Sequence, residues 1–452
     1  MSDQAPPSIP VSPDGHEARG GRSISFWGCW ALSAGTMIGS GIFMMPAVLA
    51  PYGMMSFGGW ALTTAGSIAI ALVLGRLAGR TTRSGGMQVY AADTFGPFAG
   101  FVVAWSYWIA CWISTPTVAI AFVGYVTALV PGLADQSGYQ AAIAIAAIWA
   151  LTLVSARGAK NASTLQIAMT VLKIAPLVLL VGFAVFAGSA ANLPPANPSQ
   201  EPPLQILSAT ALLTMWAFVG LECGVVPAAN VRDPQRTIPR AVIAGTLTAA
   251  VIFIASTAAV MYLVPAQTLA TSKAPFFEAA AGMGAWGPVL IALGALLATA
   301  GSMNGNIFVT GQTTMAAAQD GLAPKFLARL NRHGAPTASL VIGSALASVL
   351  LLMNYSRGLV GAFTFLLTMA TLANLVPYLF SALAELKRSW RSARGWALIA
   401  ILAGLYALFA ICGSGVEAIA WSLLLIALGV PAYLLGRRPW LVSATQPAGA
   451  EG

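Results

Sequence analysis

The segment GTMIGSGIFMMP, residues 35–46, lies at the centre of the first long apolar stretch of the chain. That stretch runs without a charge from about residue 24 to residue 50, and about 20 apolar residues are enough to cross a bilayer. The run Gly39-Ser40-Gly41 disfavours a regular helix, because two glycines free the backbone and a serine competes for its hydrogen bonds. Unwound backbone at membrane depth is tolerated only where protein or a water-filled cavity covers it. Two interpretations follow: a binding site whose free N–H groups suit a carboxylate, or close helix packing through small residues.

The composition is that of a polytopic membrane protein. Of the 452 residues, 58% are hydrophobic and only 8% are charged, whereas soluble proteins carry about 25% charged residues. The formal net charge of +9 does not indicate nucleic-acid binding, because no basic stretch is interleaved with base-stacking aromatic residues. The four cysteines lack metal-ligand spacing, and both histidines lie outside the apolar segments. Neither a metal site nor a cofactor is therefore expected.

Twelve apolar segments predict an all-α protein with twelve transmembrane helices. They cover about residues 24–50, 56–79, 99–130, 139–156, 163–187, 205–230, 238–263, 285–318, 337–354, 359–386, 395–413 and 416–436. All but three of the 22 lysines and arginines lie on one side, in the tails, alternate loops or adjoining helix ends; the exceptions are Lys173, Lys273 and Arg357. By the positive-inside rule, this asymmetry predicts an inner (plasma) membrane protein with both termini in the cytoplasm.

A second interrupted segment, WAFVGLECG at residues 216–224, lies in the sixth predicted span. Odd and even spans run in opposite directions, so the first and sixth spans are inverted relative to each other. Glycine-interrupted helices at matching positions of two inverted halves are the best sequence indicator of a secondary transporter's binding site. This pairing favours the binding-site interpretation of Gly39–Gly41 over close packing.

Two ionisable residues lie deep in predicted spans, where a charge costs roughly 2.5–3.5 kcal/mol. Glu222 is predicted to be the only deep acid and Lys173 the only deep base. We expect Glu222 to be functional, with a structural partnership to another helix as the alternative. For Lys173 two roles stay open: proton exchange after desolvation of its ammonium, or a permanent charge that holds carbonyls of the broken first helix in place of a sodium ion.

Three aromatic residues, Trp216, Tyr107 and Tyr378, lie in or near the middle of spans, away from the interfaces where aromatic residues concentrate. A flat ring can cover a ligand and bind a cation through its face. Trp108 and Trp112 lie close to Tyr107, so ordinary packing is the alternative at that position.

These motifs resemble those of the amino acid–polyamine–organocation (APC) superfamily, and most closely its basic amino acid/polyamine antiporters. The cytoplasmic stretches NVRDPQRTIPRA (230–241) and GQTTMAAAQDGLAP (311–324) match that superfamily in style. The resemblance implies a five-plus-five inverted-repeat (LeuT-like) core with broken helices 1 and 6 over residues 24–386. Two extra helices with a linker are expected over 387–438. The charge asymmetry places that linker and the tails at 1–23 and 439–452 in the cytoplasm, and the polar, Pro- and Gly-containing composition of the first tail predicts disorder.

The resemblance also implies the site residues. The unwound first helix would hold the substrate carboxylate, Trp216 would cover the ligand, and Tyr107, Glu222 and Tyr378 would gate the path, with Glu222 sensing protons. Lys173 is assigned to the same gating and coupling set because of its position deep in the fifth predicted span. The implied substrate site comprises Met37, Ile38, Ser40, Gly41, Ala110, Cys111, Thr115, Trp216, Ala217, Val219, Asn306 and Ala370.

Four positions depart from the arginine/agmatine antiporters of this group. Thr115, Asn306 and Ala370 stand where those proteins carry an asparagine, a tryptophan and a serine that contact the ligand's side chain. A smaller or neutral amino acid is therefore an alternative to arginine. Lys173 is the fourth departure, because those antiporters lack it, whereas proton-coupled and sodium-independent relatives have a similar lysine in their fifth helix.

The predicted function is secondary active transport of amino acids or their amine products by alternating access, as exchange resembling arginine/agmatine antiport. Proton-coupled symport of a smaller or neutral amino acid is the alternative. An enzyme is disfavoured because one deep acid, one deep base and no intramembrane histidine make a poor catalytic set. A channel is disfavoured by the two inverted breaks, and a sensor by the lack of a soluble signalling domain. Proton coupling and a homodimeric assembly stay open.

Overall fold

The computed structural model describes residues 25–80, 86–133, 136–157, 162–224, 231, 233–319 and 324–436. The predicted tails, 1–23 and 439–452, lie outside this part of the chain. The described residues form a helical protein whose helices, in chain order, are α1 (Phe26–Met37), α2 (Ser40–Leu49), α3 (Ser56–Arg80), α4 (Met87–Phe95), α5 (Pro97–Leu129), α6 (Ser137–Ala156), α7 (Ala162–Ala187), α8 (Pro203–Phe218), α9 (Pro234–Leu263), α10 (Ala266–Leu269), α11 (Pro275–Ala279), α12 (Trp286–Gln319), α13 (Thr337–Asn354), α14 (Gly358–Ser389), α15 (Arg394–Cys412), α16 (Val416–Ala427) and α17 (Gly429–Gly436).

Nine helical stretches of the described chain are long and apolar enough to cross a membrane. They are Gly41–Arg80, Pro97–Leu129, Ser137–Ala156, Pro203–Cys223, Gln235–Leu263, Trp286–Met315, Thr337–Asn354, Gly358–Ser389 and Arg394–Cys412, with shorter apolar helices at Leu172–Ala187 and Val416–Pro431. The all-helical, multi-pass class is therefore confirmed. Each of the twelve predicted segments contains a helix, but the count of twelve spans stays a prediction.

The first apolar segment is broken, as predicted, although slightly earlier than expected. α1 ends at Met37, and Ile38 and Gly39 separate it from α2. The Gly39 amide donates to the Met37 carbonyl at 2.8 Å instead of continuing the helical pattern. The prediction placed the interruption at Gly39–Gly41, whereas Ser40 and Gly41 already belong to the first turn of α2. The unwound part is therefore short, and its residues change the direction of the chain between two helical pieces.

The second break follows α8. This helix ends at Phe218, and Val219, which is extended, and Gly220 precede a 3₁₀ turn at Leu221–Gly224. Gly220 has a φ of 107°, a backbone conformation that residues with a Cβ rarely adopt. The turn itself therefore favours a glycine at position 220, and the second break lies within the segment 216–224 predicted from the sequence.

The helices pack in two groups. α1, α3, α8 and α9 pack together, whereas α5, α6, α12 and α13 form the second group, and α2 contacts helices of both. α14 packs against α5 and also contacts α8, so it bridges the two groups, and α7 contacts α1, α9 and α12. The side chains from Ile42 to Met45 in α2 are all fully buried, as expected for a helix that is apolar on every face and surrounded by others. α2 therefore lies at the centre of the bundle.

Candidate functional site

The start of α2 presents backbone N–H groups that its own helix cannot satisfy. Gly39 precedes the helix and supplies no side-chain cap. The free amides and the positive end of the helix dipole suit an anionic group such as a carboxylate. Met37 and Ile38, both predicted site residues, are buried beside this turn, while the side chain of Ser40 lies outside the described part of the structure.

The two breaks are in direct contact. The Thr36 hydroxyl at the end of α1 donates to the Gly220 carbonyl in the second break at 3.2 Å. On the other side, a Cβ built on Gly41 would lie 3.1 Å from the Cα of Ala217 and 3.2 Å from Cδ1 of Trp216. These distances are shorter than ordinary van der Waals contacts, so a Cβ at this position would require α2 and α8 to separate slightly. The structure therefore brings together Gly41, Trp216 and Ala217, which sequence reasoning had assigned to one site.

Three buried indole N–H groups, those of Trp60, Trp112 and Trp216, lack a hydrogen-bond acceptor among the described residues. Trp216 is 6% exposed, and its Nε1 has no partner in the described part of the structure. Nε1 of Trp112 in α5 also has no hydrogen-bond partner among the described residues. Buried polar groups in folded proteins are nearly always paired, so an unpaired N–H next to two helix breaks is suited to a ligand's acceptor. Trp112 was treated only as a packing neighbour of Tyr107, since an unpaired N–H has no signal in sequence.

Glu222 is enclosed by three donors from three parts of the chain. Its Oε2 accepts hydrogen bonds from the Tyr378 hydroxyl at 2.6 Å and from the Gly220 amide at 3.0 Å. Its Oε1 accepts a longer bond from the Tyr107 hydroxyl, at 3.4 Å. The carboxyl is buried, with 3% of the residue exposed. Glu222 thus links the second break to α5 and α14, and its neighbours are the two tyrosines expected from the resemblance.

The remaining predicted substrate residues lie on the helices around the breaks. Cys111 and Thr115 are buried in α5, and Ala370 is fully buried in α14. Asn306 is half-buried in α12, and its backbone carbonyl accepts a hydrogen bond from the Thr310 hydroxyl. Among the described residues, no hydrogen bond joins Thr115, Asn306 or Ala370 to either break, and their place in the site stays a prediction. The same holds for Ala110, which is buried in α5, and Val219, which is half-buried in the second break.

Lys173 occupies a buried position in α7, with 5% of the residue exposed. Its Nζ would lie 3.5 Å from a Cβ built on Gly301 of α12, so the ammonium stands against the α12 backbone. α7 also packs against α1. Among the described residues, no hydrogen bond joins Lys173 to the carbonyls of Met37, Ile38 or Gly39, so the tethering role stays a prediction.

A second buried acid, Glu385, lies near the end of α14, and the prediction that Glu222 is the only acid deep in a span stays a prediction. Glu385 in α14 is fully buried, and its carboxylate pairs with Arg76 at 2.8 Å and with Arg80 at 3.3 Å, both from α3. Ser389 donates a short hydrogen bond to the same carboxylate, and the Arg76 guanidinium stacks 4.2 Å over the ring of Trp396. Sequence reasoning counted the two arginines as loop charges. The seven-residue spacing between Tyr378 and Glu385, which places both on one helix face, was the available signal.

An aromatic cluster covers α2 on another side. The Tyr125 hydroxyl donates to the Phe43 carbonyl at 2.8 Å and accepts from the Phe276 amide of α11 at 3.4 Å. The rings of Phe43 and Phe276 lie 5.3 Å apart. In the same connection, burial raises the pKa of the Glu278 carboxyl, and a 2.7 Å hydrogen bond from the Ser272 hydroxyl opposes that rise. These contacts hold the connection between α9 and α12 against α2 and α5.

Two broken helices that meet inside a multi-pass bundle define the general class of a membrane transport protein. The family model for amino acid permeases matches residues 24–433. A putative arginine/ornithine antiporter of Bacillus subtilis is 34% identical over 429 residues, covering 85% of this chain and 91% of that protein. The putrescine transporter PotE of Escherichia coli K12 is 31% identical, covering 88% and 92%, and a cadaverine/lysine antiporter of the same strain is 32% identical, covering 80% and 82%.

The chain belongs to the amino acid permease family. The resemblance drawn from the motifs is thus confirmed, and so is the predicted class of function, transport of amino acids or amines across a membrane, at the level of the family. The matched family and these relatives are permeases and transporters rather than enzymes.

Proposed function

We propose that this protein is a secondary active transporter that exchanges an amino acid for a related amine by alternating access. The observation that carries the proposal is the contact between the two broken helices, at which Gly41 lies against Trp216 and Ala217. The printed functions of three relatives, arginine/ornithine antiport, putrescine transport and cadaverine/lysine antiport, support the class of substrate.

The substrate would be held at both breaks. Its carboxylate would accept hydrogen bonds from the first-turn amides of α2, and its ammonium would donate to the carbonyls left free where α1 and α8 end. Trp216 would cover the ligand, because its ring lies at the contact and its N–H has no protein acceptor. Met37, Ile38, Ser40 and Val219 would form the backbone part of this site.

Glu222, Tyr107 and Tyr378 would form the gate below the substrate. The Tyr107 and Tyr378 hydrogen bonds to Glu222 tie the second break, which follows α8, to α5 and α14. α8 and α5 belong to different helix groups, so these bonds hold the groups together at this point. Protonation of Glu222 would weaken the bonds, which couples the gate to protons.

The packing also supports the five-plus-five repeat over residues 24–386. Counted as spans, one helix group contains the first, second, sixth and seventh, and the other contains the third, fourth, eighth and ninth. Each group thus unites elements that are five spans apart, as an inverted repeat requires. The spans over 387–438 would be additions to this core, and the basic residues on one side would place both termini in the cytoplasm.

Proton-coupled symport of a smaller or neutral amino acid is the second candidate. It is favoured by Lys173, whose buried ammonium stands against α12, and by Asn306 at a position where a tryptophan would grip a long side chain. Under this proposal Lys173 would exchange protons with solvent during the cycle.

The deciding experiment measures binding of amino acids and their amines to the purified protein, and uptake by proteoliposomes with and without internal substrate. Exchange predicts that a basic amino acid or its amine binds, and that uptake requires internal substrate. Binding of a neutral amino acid, with uptake driven by a proton gradient alone, would replace exchange by symport.

The site itself is tested by Trp216→Leu, with Trp286→Leu as the control. Trp286 is 58% exposed at the start of α12, so its loss should leave binding unchanged. Loss of the Trp216 ring should weaken binding about tenfold, the scale of an aromatic face against a cationic ligand. Equal affinities for W216L, W286L and the unaltered protein, all folded, would show that the ligand binds elsewhere.

A further inference from the structure

A cavity of about 430 Å³ lies outside the transport site, where α14 ends and α15 begins. It is on the side that the charge distribution predicts to be cytoplasmic. One half of its lining is cationic and the other half is apolar. The lining residues are Trp390, Arg391, Arg394, Ala397, Leu398 and Ile401.

The cationic half is uncompensated. Arg391 and Arg394 are both exposed, and neither takes part in an ion pair within the described residues. By contrast, the charge of Arg76 is neutralised by the carboxylate of the buried Glu385. A guanidinium presents a planar fork of donors that matches the geometry of phosphate. Two such groups at one cavity therefore favour a phosphate-bearing ligand.

The apolar half continues onto the outer surface of α15. Leu398 is 57% exposed, and Leu402 and Leu405, which follow at helical spacing, are 52% and 58% exposed. Trp390, 61% exposed, stands at the polar end of this stripe, in the position that tryptophan takes at a membrane interface. Because α15 is long and apolar enough to cross the membrane, this stripe would face lipid acyl chains, which places the cationic half of the cavity beside the lipid headgroups.

We propose that this cavity is a binding site for one anionic phospholipid of the cytoplasmic leaflet. Arg391 and Arg394 hold its phosphate, and an acyl chain lies along Leu398, Leu402 and Leu405. The cytoplasmic leaflet supplies anionic lipids, and the charge of the cavity matches theirs. The site does not depend on which substrate the protein transports.

The test uses the full-length protein and compares Arg391→Gln/Arg394→Gln with Arg329→Gln/Arg332→Gln. The control pair lies on another predicted cytoplasmic loop, is also exposed, and removes the same charge. Dioleoylphosphatidylglycerol is titrated into the delipidated protein, and bound lipid is counted by native mass spectrometry. We expect roughly 30-fold weaker binding of the first lipid by R391Q/R394Q, since each cation near a surface contributes about a factor of five. The control should bind like the unaltered protein.

Three outcomes would overturn the proposal. One is equal retention of the lipid by R391Q/R394Q, and another is equal loss by the control pair, which would mean a diffuse surface effect. The third is competition by inorganic phosphate as effective as by the lipid, which would assign the cavity to a free anion. Dioleoylphosphatidylcholine should bind all forms alike, and L398S/L402S, which removes apolar contact without changing charge, should also weaken binding of the anionic lipid.

Discussion

Glu222→Gln is the substitution that separates the charge of the gate from its shape. Both hydrogen bonds to Oε2, from Tyr378 and from the Gly220 amide, can be accepted by the amide carbonyl of glutamine. The amide N–H₂ then faces the Tyr107 hydroxyl, which can accept. The variant therefore keeps the volume and the contacts of the gate and removes only the ionisable group.

The size of the effect follows from the loss of charge. A hydrogen bond to a charged group contributes about 1.5–3 kcal/mol, against about 0.5–1.5 kcal/mol for a neutral pair. The 2.6 Å bond from Tyr378, which joins the second break to α14, loses about 1 kcal/mol. The Gly220 bond lies within the break and does not join helices across the gate. The loss at Tyr378 shifts the equilibrium between the closed and open gate by about fivefold. The 3.4 Å bond from Tyr107 is long and adds little.

The assay is exchange by proteoliposomes between pH 5 and pH 8, with the orientation of the protein and the internal substrate held constant. We expect E222Q to transport with a flat pH profile, because its gate no longer responds to protons. Tyr378→Phe is the matched control: it removes the 2.6 Å bond but keeps the acid, so it should lower gate stability and retain the pH dependence. A steep profile in E222Q would refute the assignment of proton sensing to Glu222.

Three further predictions concern packing and stability. Gly39→Ala should reduce transport, because a Cβ there would lie 2.2 Å from the Ser302 hydroxyl, which would have to move. Gly39→Ala/Ser302→Gly should restore part of the transport, and no rescue would place the defect elsewhere. Glu385→Gln should lower the free energy of unfolding by about 3 kcal/mol in chemical denaturation, because two arginines lose a buried partner. The control Glu417→Gln, in an exposed pair, should lower it by less than about 1 kcal/mol. Similar losses in the two variants would contradict a stabilising role for the buried pair. Tyr125→Phe should raise hydrogen exchange over residues 270–285, since it removes the hydroxyl that joins α11 to α2; unchanged exchange would show that the aromatic packing suffices.

Lys173 in α7 stood out in the sequence, but its contacts could be found only in the structure. Its position in an apolar segment was enough to mark it as unusual, because no packing requirement calls for an ammonium there. Its two candidate roles depend on which groups lie within a few ångströms. The structure places Nζ against α12 and packs α7 beside α1, without a hydrogen bond to the described carbonyls of the first break.

The helical, membrane-spanning class was available from the sequence because transfer of a segment into a bilayer depends mainly on that segment's own composition. The two breaks were available for a related reason. Gly220 adopts a conformation that suits glycine, and glycines at positions 39 and 41 free the backbone of the first segment, so each break has a local signature. Glu222 was identifiable because a carboxyl in an apolar segment is costly wherever the rest of the chain lies.

Contacts between distant residues were decided only by the tertiary structure. Arg80 and Glu385 are 305 positions apart, and each looks like an ordinary charge near a helix end until α3 and α14 pack together. The lack of a partner for the buried indole N–H groups and the cavity beside Trp390 likewise depend on how the helices pack. Sequence therefore determined which segments enter the membrane and where two of them break, since those follow from local transfer and backbone energies. Pairing, enclosure and cavities required the fold, because they depend on distances between atoms that the order of residues does not contain.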